Sequence, residues 1–164
     1  MSLKATIQND VKEALKSGNS EKRMTLGMLL ASIKSREIEK RSQFTKTVSD
    51  VAELELKSQL NDEEIVEVIS SEVKKRKDSV VQYESGGRPE LAEKEKAEID
   101  FLMAYMPEQL SEDEIKRIVK DKISESGATG PKDMGKVIGL AMPQLKGKAE
   151  GSLVSKIVKE ELGA

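Results

Sequence analysis

Leu60-Asn61-Asp62-Glu63-Glu64-Ile65 opens a long helix, and Gly86-Gly87-Arg88-Pro89 closes it. Asparagine followed three residues on by glutamate is the reciprocal capping arrangement, and acids in the first turn suit the positive end of the helix dipole. Between these marks Ile65, Ile69, Val73, Arg76, Val80 and Tyr83 recur at helical spacing. Two successive glycines end the helix, and Pro89 fits the first position of another. The following helix lines Leu91, Glu95, Ile99, Leu102 and Met106 along one face. A helical hairpin results, with one charge on each inner face, Arg76 and Glu95. An ion pair at a partly buried joint is the simpler reading than a catalytic carboxylate held by arginine, because nothing nearby completes a reaction.

The same grammar extends toward the start of the chain. Leu3, Ile7, Val11 and Ala14/Leu15 form one helix face, Gly18 stops it, and Asn19 or Ser20 caps a second helix to about Arg41. Leu26, Leu29/Leu30, Ile33 and Ile38 lie on the inner face of that helix, and the short link predicts an antiparallel pair. Residues 42–60 admit either a loop or a short helix capped at Ser49-Asp50 and carrying Val51, Leu54 and Leu56.

Beyond the hairpin, Pro107 breaks the chain and Glu108-Gln109-Leu110 reads as a linker. Ser111-Glu112-Asp113-Glu114 is a second capping box, followed by Ile115, Ile118, Val119, Lys122 and Ile123 up to Gly127. Pro131 opens a further helix bearing Met134, Val137/Ile138 and Ala141/Met142, which Pro143 disturbs or ends. Lys146-Gly147-Lys148 is a turn, and Leu153, Val154, Ile157, Val158 and Leu162 form a last amphipathic helix. The expectation is an all-α chain: an N-terminal helical domain of about four helices over residues 1–107, and a three-helix domain over residues 108–164.

Composition narrows the chemistry. The 164 residues contain no histidine and no cysteine, which removes Cys- or His-based nucleophiles, Cys/His zinc sites and disulfides. Hydrophobic residues make up 37% and charged residues 35%, so the apolar side chains must be concentrated on helix faces. Two tyrosines, two phenylalanines and no tryptophan supply no stacking platform for single-stranded bases. No run approaches the ~18 apolar residues of a membrane span, and the start lacks a signal-like apolar stretch, so a cytoplasmic protein without membrane contact is expected. The net charge of −2 does not advertise a polyanion partner, yet residues 1–60 carry net +3, residues 61–110 net −6 and residues 127–164 net +2. Lys74-Lys75-Arg76-Lys77 covers all sides of its helix and reads as a solvated face with one inward arginine.

The stretch from Asp133 to Gly151 is the least ordinary. Gly135, Gly139, Gly147 and Gly151 form two i,i+4 pairs, although each interior helical glycine costs about 1 kcal/mol relative to alanine. The simplest reading of Gly135 and Gly139 is close approach of another helix. Gly147 and Gly151 bracket a lysine turn whose exposed amides would suit a phosphate. No Gly-x4-Gly-Lys-Ser/Thr run occurs, so a nucleotide P-loop is excluded on spacing. Any RNA would be bound by shape and phosphate contacts on a folded molecule. The candidate RNA-binding residues are Lys132, Lys136, Lys146, Gly147, Lys148 and Gly151. No catalytic residue, metal ligand or cofactor site is expected.

Several stretches carry a family resemblance: Glu37-Ile38, Leu60 to Ile65, Lys75-Arg76-Lys77-Asp78-Ser79, Gly87-Arg88 through Glu95, Tyr105-Met106-Pro107-Glu108-Gln109-Leu110 and Asp133-Met134-Gly135-Lys136-Val137. In this combination and order the chain resembles the GatB/YqeY family, over nearly its whole length in the free-standing branch. It departs at Gly27, where many members have arginine. The tail is similar to that of the tRNA-dependent amidotransferase B subunit at Gly139, Met142, Lys146-Gly147-Lys148-Ala149 and Val154. The resemblance implies a larger helical domain followed by a small three-helix tail that contacts tRNA. It also implies association with a carbon–nitrogen ligase using glutamine as amide donor, whose chemistry resides in other domains and subunits. The expected partners are tRNA and an amidotransferase or other translation-related protein. The alternative is a helical protein-interaction module with no nucleic acid partner.

Overall fold

The computed structural model describes residues 1–163, and among them every regular element is helical. The helices are α1 (Leu3–Lys16), α2 (Ser20–Phe44), α3 (Val51–Ser58), α4 (Asp62–Ser85), α5 (Pro89–Met103), α6 (Glu112–Ser126), α7 (Met134–Leu145) and α8 (Gly151–Glu161), with a 3-10 turn at Pro131–Asp133 before α7. The chain divides into two compact units, Met1–Tyr105 and the residues from Met106 onward.

In the first unit α1 packs on α2 and α4 on α5, while α2 also meets α3, α4 and α5. The ambiguous segment is helical: the Asp50 carboxylate accepts from Glu53 N–H at 2.8 Å and starts α3. This unit therefore has five helices rather than about four. Asn61 and Glu64 make both bonds of their capping box at the head of α4. Gly87, with φ +68°, takes the left-handed conformation that reverses the chain into α5. Ile7, Leu26, Leu29, Ile33, Ile65, Ile69 and Leu102 are fully buried and make the centre of the core.

Two expectations for this unit need correction. Ile38 is 58% exposed, and its neighbour Glu37 points inward instead. Glu37 accepts a charge-assisted bond from Lys4 Nζ at 2.6 Å and one from Leu60 N–H at 3.3 Å, so the buried carboxylate is satisfied. Arg76 is paired not with Glu95 but with Glu72 and Glu98, at 2.8 Å through Nη1 and 3.0 Å through Nε. The hairpin explains the shift, because positions 76 and 98 are equally distant in sequence from Gly87 and come level across an antiparallel pair. Burial raises the Glu72 pKa, but hydrogen bonds from Lys75 and Arg76 more than offset it and leave the carboxylate below its ordinary value.

The second unit builds its core from Ile115 and Val119 of α6, Val137, Ala141 and Leu145 of α7, and Val154, Ile157 and Val158 of α8. Ser111 makes its capping box with Glu114, and Gly127 ends α6 with φ +67°. Pro143 does not end α7, which continues to Leu145. The N–H that proline lacks would have bonded the carbonyl of Gly139; both residues are exposed, so water can serve that carbonyl.

Replacing Arg76 by leucine takes the guanidinium from Glu98 and leaves Glu72 with Lys75 and Ser32 alone, and is expected to destabilise the first unit by about 3 kcal/mol, measured by urea unfolding. The pH dependence has a definite sign. A carboxylate whose folded pKa lies below its unfolded value contributes stability above the unfolded pKa and loses it as pH falls through the folded one. The wild type should therefore lose the Glu72 contribution on acidification below about pH 4. Arg76→Leu should show a shallower acid slope.

Candidate nucleic-acid interface

The sequence-expected residues fall at the two ends of α7. Lys132 lies in the 3-10 turn and Lys136 in the first turn of α7; both are exposed. Lys146, Gly147 and Lys148 follow the C-terminal end of α7, and Gly151 is the first residue of α8. Lys136 and Lys146 are ten residues apart, about 15 Å along the axis. The structure thus makes two basic clusters on one rod rather than a single patch.

Their side chains are not equivalent. Lys136 Nζ donates to the carbonyl of Ser126 at 2.8 Å, so this cation also caps the C-terminal end of α6, where the dipole favours positive charge. Among the described residues, the ammonium groups of Lys132 and Lys148 form no ion pair. Gly147 holds φ at +74°, which turns the chain sharply after Lys146. Lys148 and Ala149 N–H then both donate to Leu145 O, at 2.9 and 3.0 Å. Glu150 is the N-cap of α8 and supplies no side-chain cap, leaving the first-turn amides without a side-chain acceptor. Ser152 Oγ donates instead to Glu150 Oε1 at 2.6 Å.

The glycines overturn the close-packing expectation. Gly135 and Gly139 are exposed, and a Cβ built on either would meet nothing within 4 Å. The buried side of α7 is Val137, Ala141 and Leu145, and the opposite side presents Gly135, Gly139 and Pro143, with Lys136 and Leu140 beside them. No helix within the unit uses the bare backbone. The outcome is an uncovered strip, nearly without side chains, that runs between the two lysine clusters.

Sequence reading missed the residues that hold the turn. Gln109 Nε2 donates to the carbonyls of Pro107 and Gly147, both at 2.8 Å. The neighbouring Leu110 N–H donates to Lys148 O at 2.8 Å. A linker residue carries no periodicity, and only the proline just before it marks the segment as fixed in shape.

A family model described as Yqey-like protein matches residues 4–162. The chain belongs to that family. Altered inheritance of mitochondria protein 41, mitochondrial, of Pyrenophora tritici-repentis is 29% identical over 161 residues, covering 96% of this chain and 80% of that protein. The protein of the same description in Candida glabrata is 24% identical over 153 residues, covering 92% and 72%. A glutamyl-tRNA(Gln) amidotransferase subunit of Methanobrevibacter smithii is 39% identical over 57 residues, which are 32% of this chain and 9% of that protein. Family membership thus spans both units, while the link to the amidotransferase is short. Among the described residues no helix is long and apolar enough to cross a membrane.

Because the space over Gly139 is empty, Gly139→Ala should stabilise the second unit by about 0.5–1 kcal/mol. The measurement is thermal or urea unfolding of the full chain followed by a probe in the second unit. A loss of stability would show that the glycine face is covered.

Proposed function

We propose that this YqeY-like protein is an accessory factor of tRNA-dependent amide transfer, and that its second unit binds folded tRNA. One observation carries the reading: α7 keeps a solvent-open glycine face between clusters of exposed lysines. Without side chains, the helix lets a ribose–phosphate backbone approach the main chain. The lysines at either end then meet phosphates, and the first-turn amides of α8 add donors. The 57-residue similarity to the amidotransferase protein supports tRNA as the RNA to test. Amide transfer from glutamine, the carbon–nitrogen ligase chemistry, is carried by partner subunits in this reading. The site of action is the cytoplasm, and the mitochondrial names of the relatives extend the idea to organellar translation.

The net charge of −2 demands that such binding be local. If Lys132, Lys136, Lys146 and Lys148 each neutralise one phosphate, log K should fall with log salt at a slope of about −3 to −4. Reversing Lys146 and Lys148 to glutamate should lower affinity at least roughly tenfold and reduce the slope by about two. A titration of the full chain with tRNA at several salt concentrations reads both quantities. Equal binding by wild type and double mutant in low salt would end this reading.

A second reading has its own observation. On α2 the side chains of Met24 and Met28 are 55% and 51% exposed, and Ile38 is also uncovered. That face suits a protein partner, whose capture surviving nuclease treatment and lost on Met28→Glu would favour an interaction module.

A further inference from the structure

We infer that Gln109, together with the Leu110 amide, is the positioning element of the lysine turn and sets it for anion binding. This rests on the RNA-binding reading above. The amides of Lys146, Lys148 and Ala149 are already donated to Met142 O and Leu145 O, so what the turn shows a phosphate is set by its two lysines and by its carbonyls, which repel an anion. The same two lysines do little if those carbonyls face the ligand.

The structure occupies two of those carbonyls. Gly147 O accepts from Gln109 Nε2 at 2.8 Å, and Lys148 O accepts from Leu110 N–H at 2.8 Å. The Gln109 amide reaches Pro107 O at 2.8 Å as well, so both of its hydrogens are engaged and the side chain bridges two backbone segments. Leu110 in turn packs against the Ile115–Val158 core, which anchors the donor segment from the other side. The consequence is electrostatic and geometric together. Carbonyl dipoles of Gly147 and Lys148 are turned onto donors of residues 109 and 110, and the turn is fixed in one conformation before any ligand arrives. The binding of a polyanion then carries no ordering cost at this turn. Gln109 itself contributes no charge and need not touch the RNA.

The test uses the full chain in four forms: wild type, Gln109→Met, Lys146→Ala with Lys148→Ala, and all three substitutions together. Methionine keeps the length of the side chain and removes both donors. Each form is titrated with tRNA across a salt series. Gln109→Met should weaken binding roughly three- to tenfold, the size of one hydrogen bond's contribution. It should also flatten the salt dependence, although no charge has been removed. Added to the lysine pair, it should produce little further loss, because the two act through the same turn. A general loss of stability would not give that non-additivity. Full additivity, or unchanged affinity and slope in Gln109→Met, overturns the inference while leaving the RNA-binding reading in place. Absence of tRNA binding by the wild type overturns both.

Discussion

The buried Arg76 guanidinium is the interaction on which the first unit depends. It bonds Glu72 on its own helix and Glu98 across the hairpin, and Glu72 also accepts from Ser32 of α2 at 3.3 Å. Three helices therefore meet at one charged joint. An ion pair taken out of water adds little net stability, because desolvation offsets most of the attraction. Its effect is on register. Sliding α5 by one turn would take Glu98 from the guanidinium and leave it Glu72 alone, whereas sliding one leucine past another costs less. With only two tyrosines and two phenylalanines in the chain, aromatic shape does little to fix helix positions, and charge takes over that task. The Lys4–Glu37 bond repeats the device between α1 and α2, and the Tyr105 hydroxyl donated to Asp10 ties the end of the unit to its start.

The second unit is held differently. Its core consists of aliphatic side chains from α6, α7 and α8. Helix ends are fixed by local chemistry: the Ser111–Glu114 box, the left-handed Gly127 and the left-handed Gly147. All the packing falls on one side of α7. On the other side a Cβ at Gly135 or Gly139 would meet nothing within 4 Å, while Lys136 beside them caps the end of α6.

Helix boundaries were legible in the sequence because caps act over three or four residues. Asn19, Asn61, Ser111, Gly87 and Gly127 each perform the local role that their position suggests. Partner identity was less legible. Arg76 reads correctly as an inward charge, but Glu98 is distinguished from Glu95 only by hairpin register, which periodicity along one helix does not contain. Ile38 and Glu37 exchange places for a similar reason, since a lysine on another helix makes the buried carboxylate acceptable. At the candidate interface the lysines could be named from composition. The clamp formed by Gln109 and Leu110 could not, because it joins a linker to a turn 38 residues away.

The glycines of α7 show why the distinction between packing and binding needs a structure. In sequence, glycines four residues apart on a helix read most simply as room for a close helix neighbour, and a close ligand is the other explanation. The two explanations differ in where the empty volume lies. A packing glycine has another backbone over it, and its replacement by alanine collides. Gly135 and Gly139 have open space, so alanine would be tolerated and would favour the helix. A residue that weakens its helix and packs against nothing lacks a reason within the fold. In the proposed reading the reason lies in what approaches from solvent, and the lysines at both ends of the same helix make that visitor an anion.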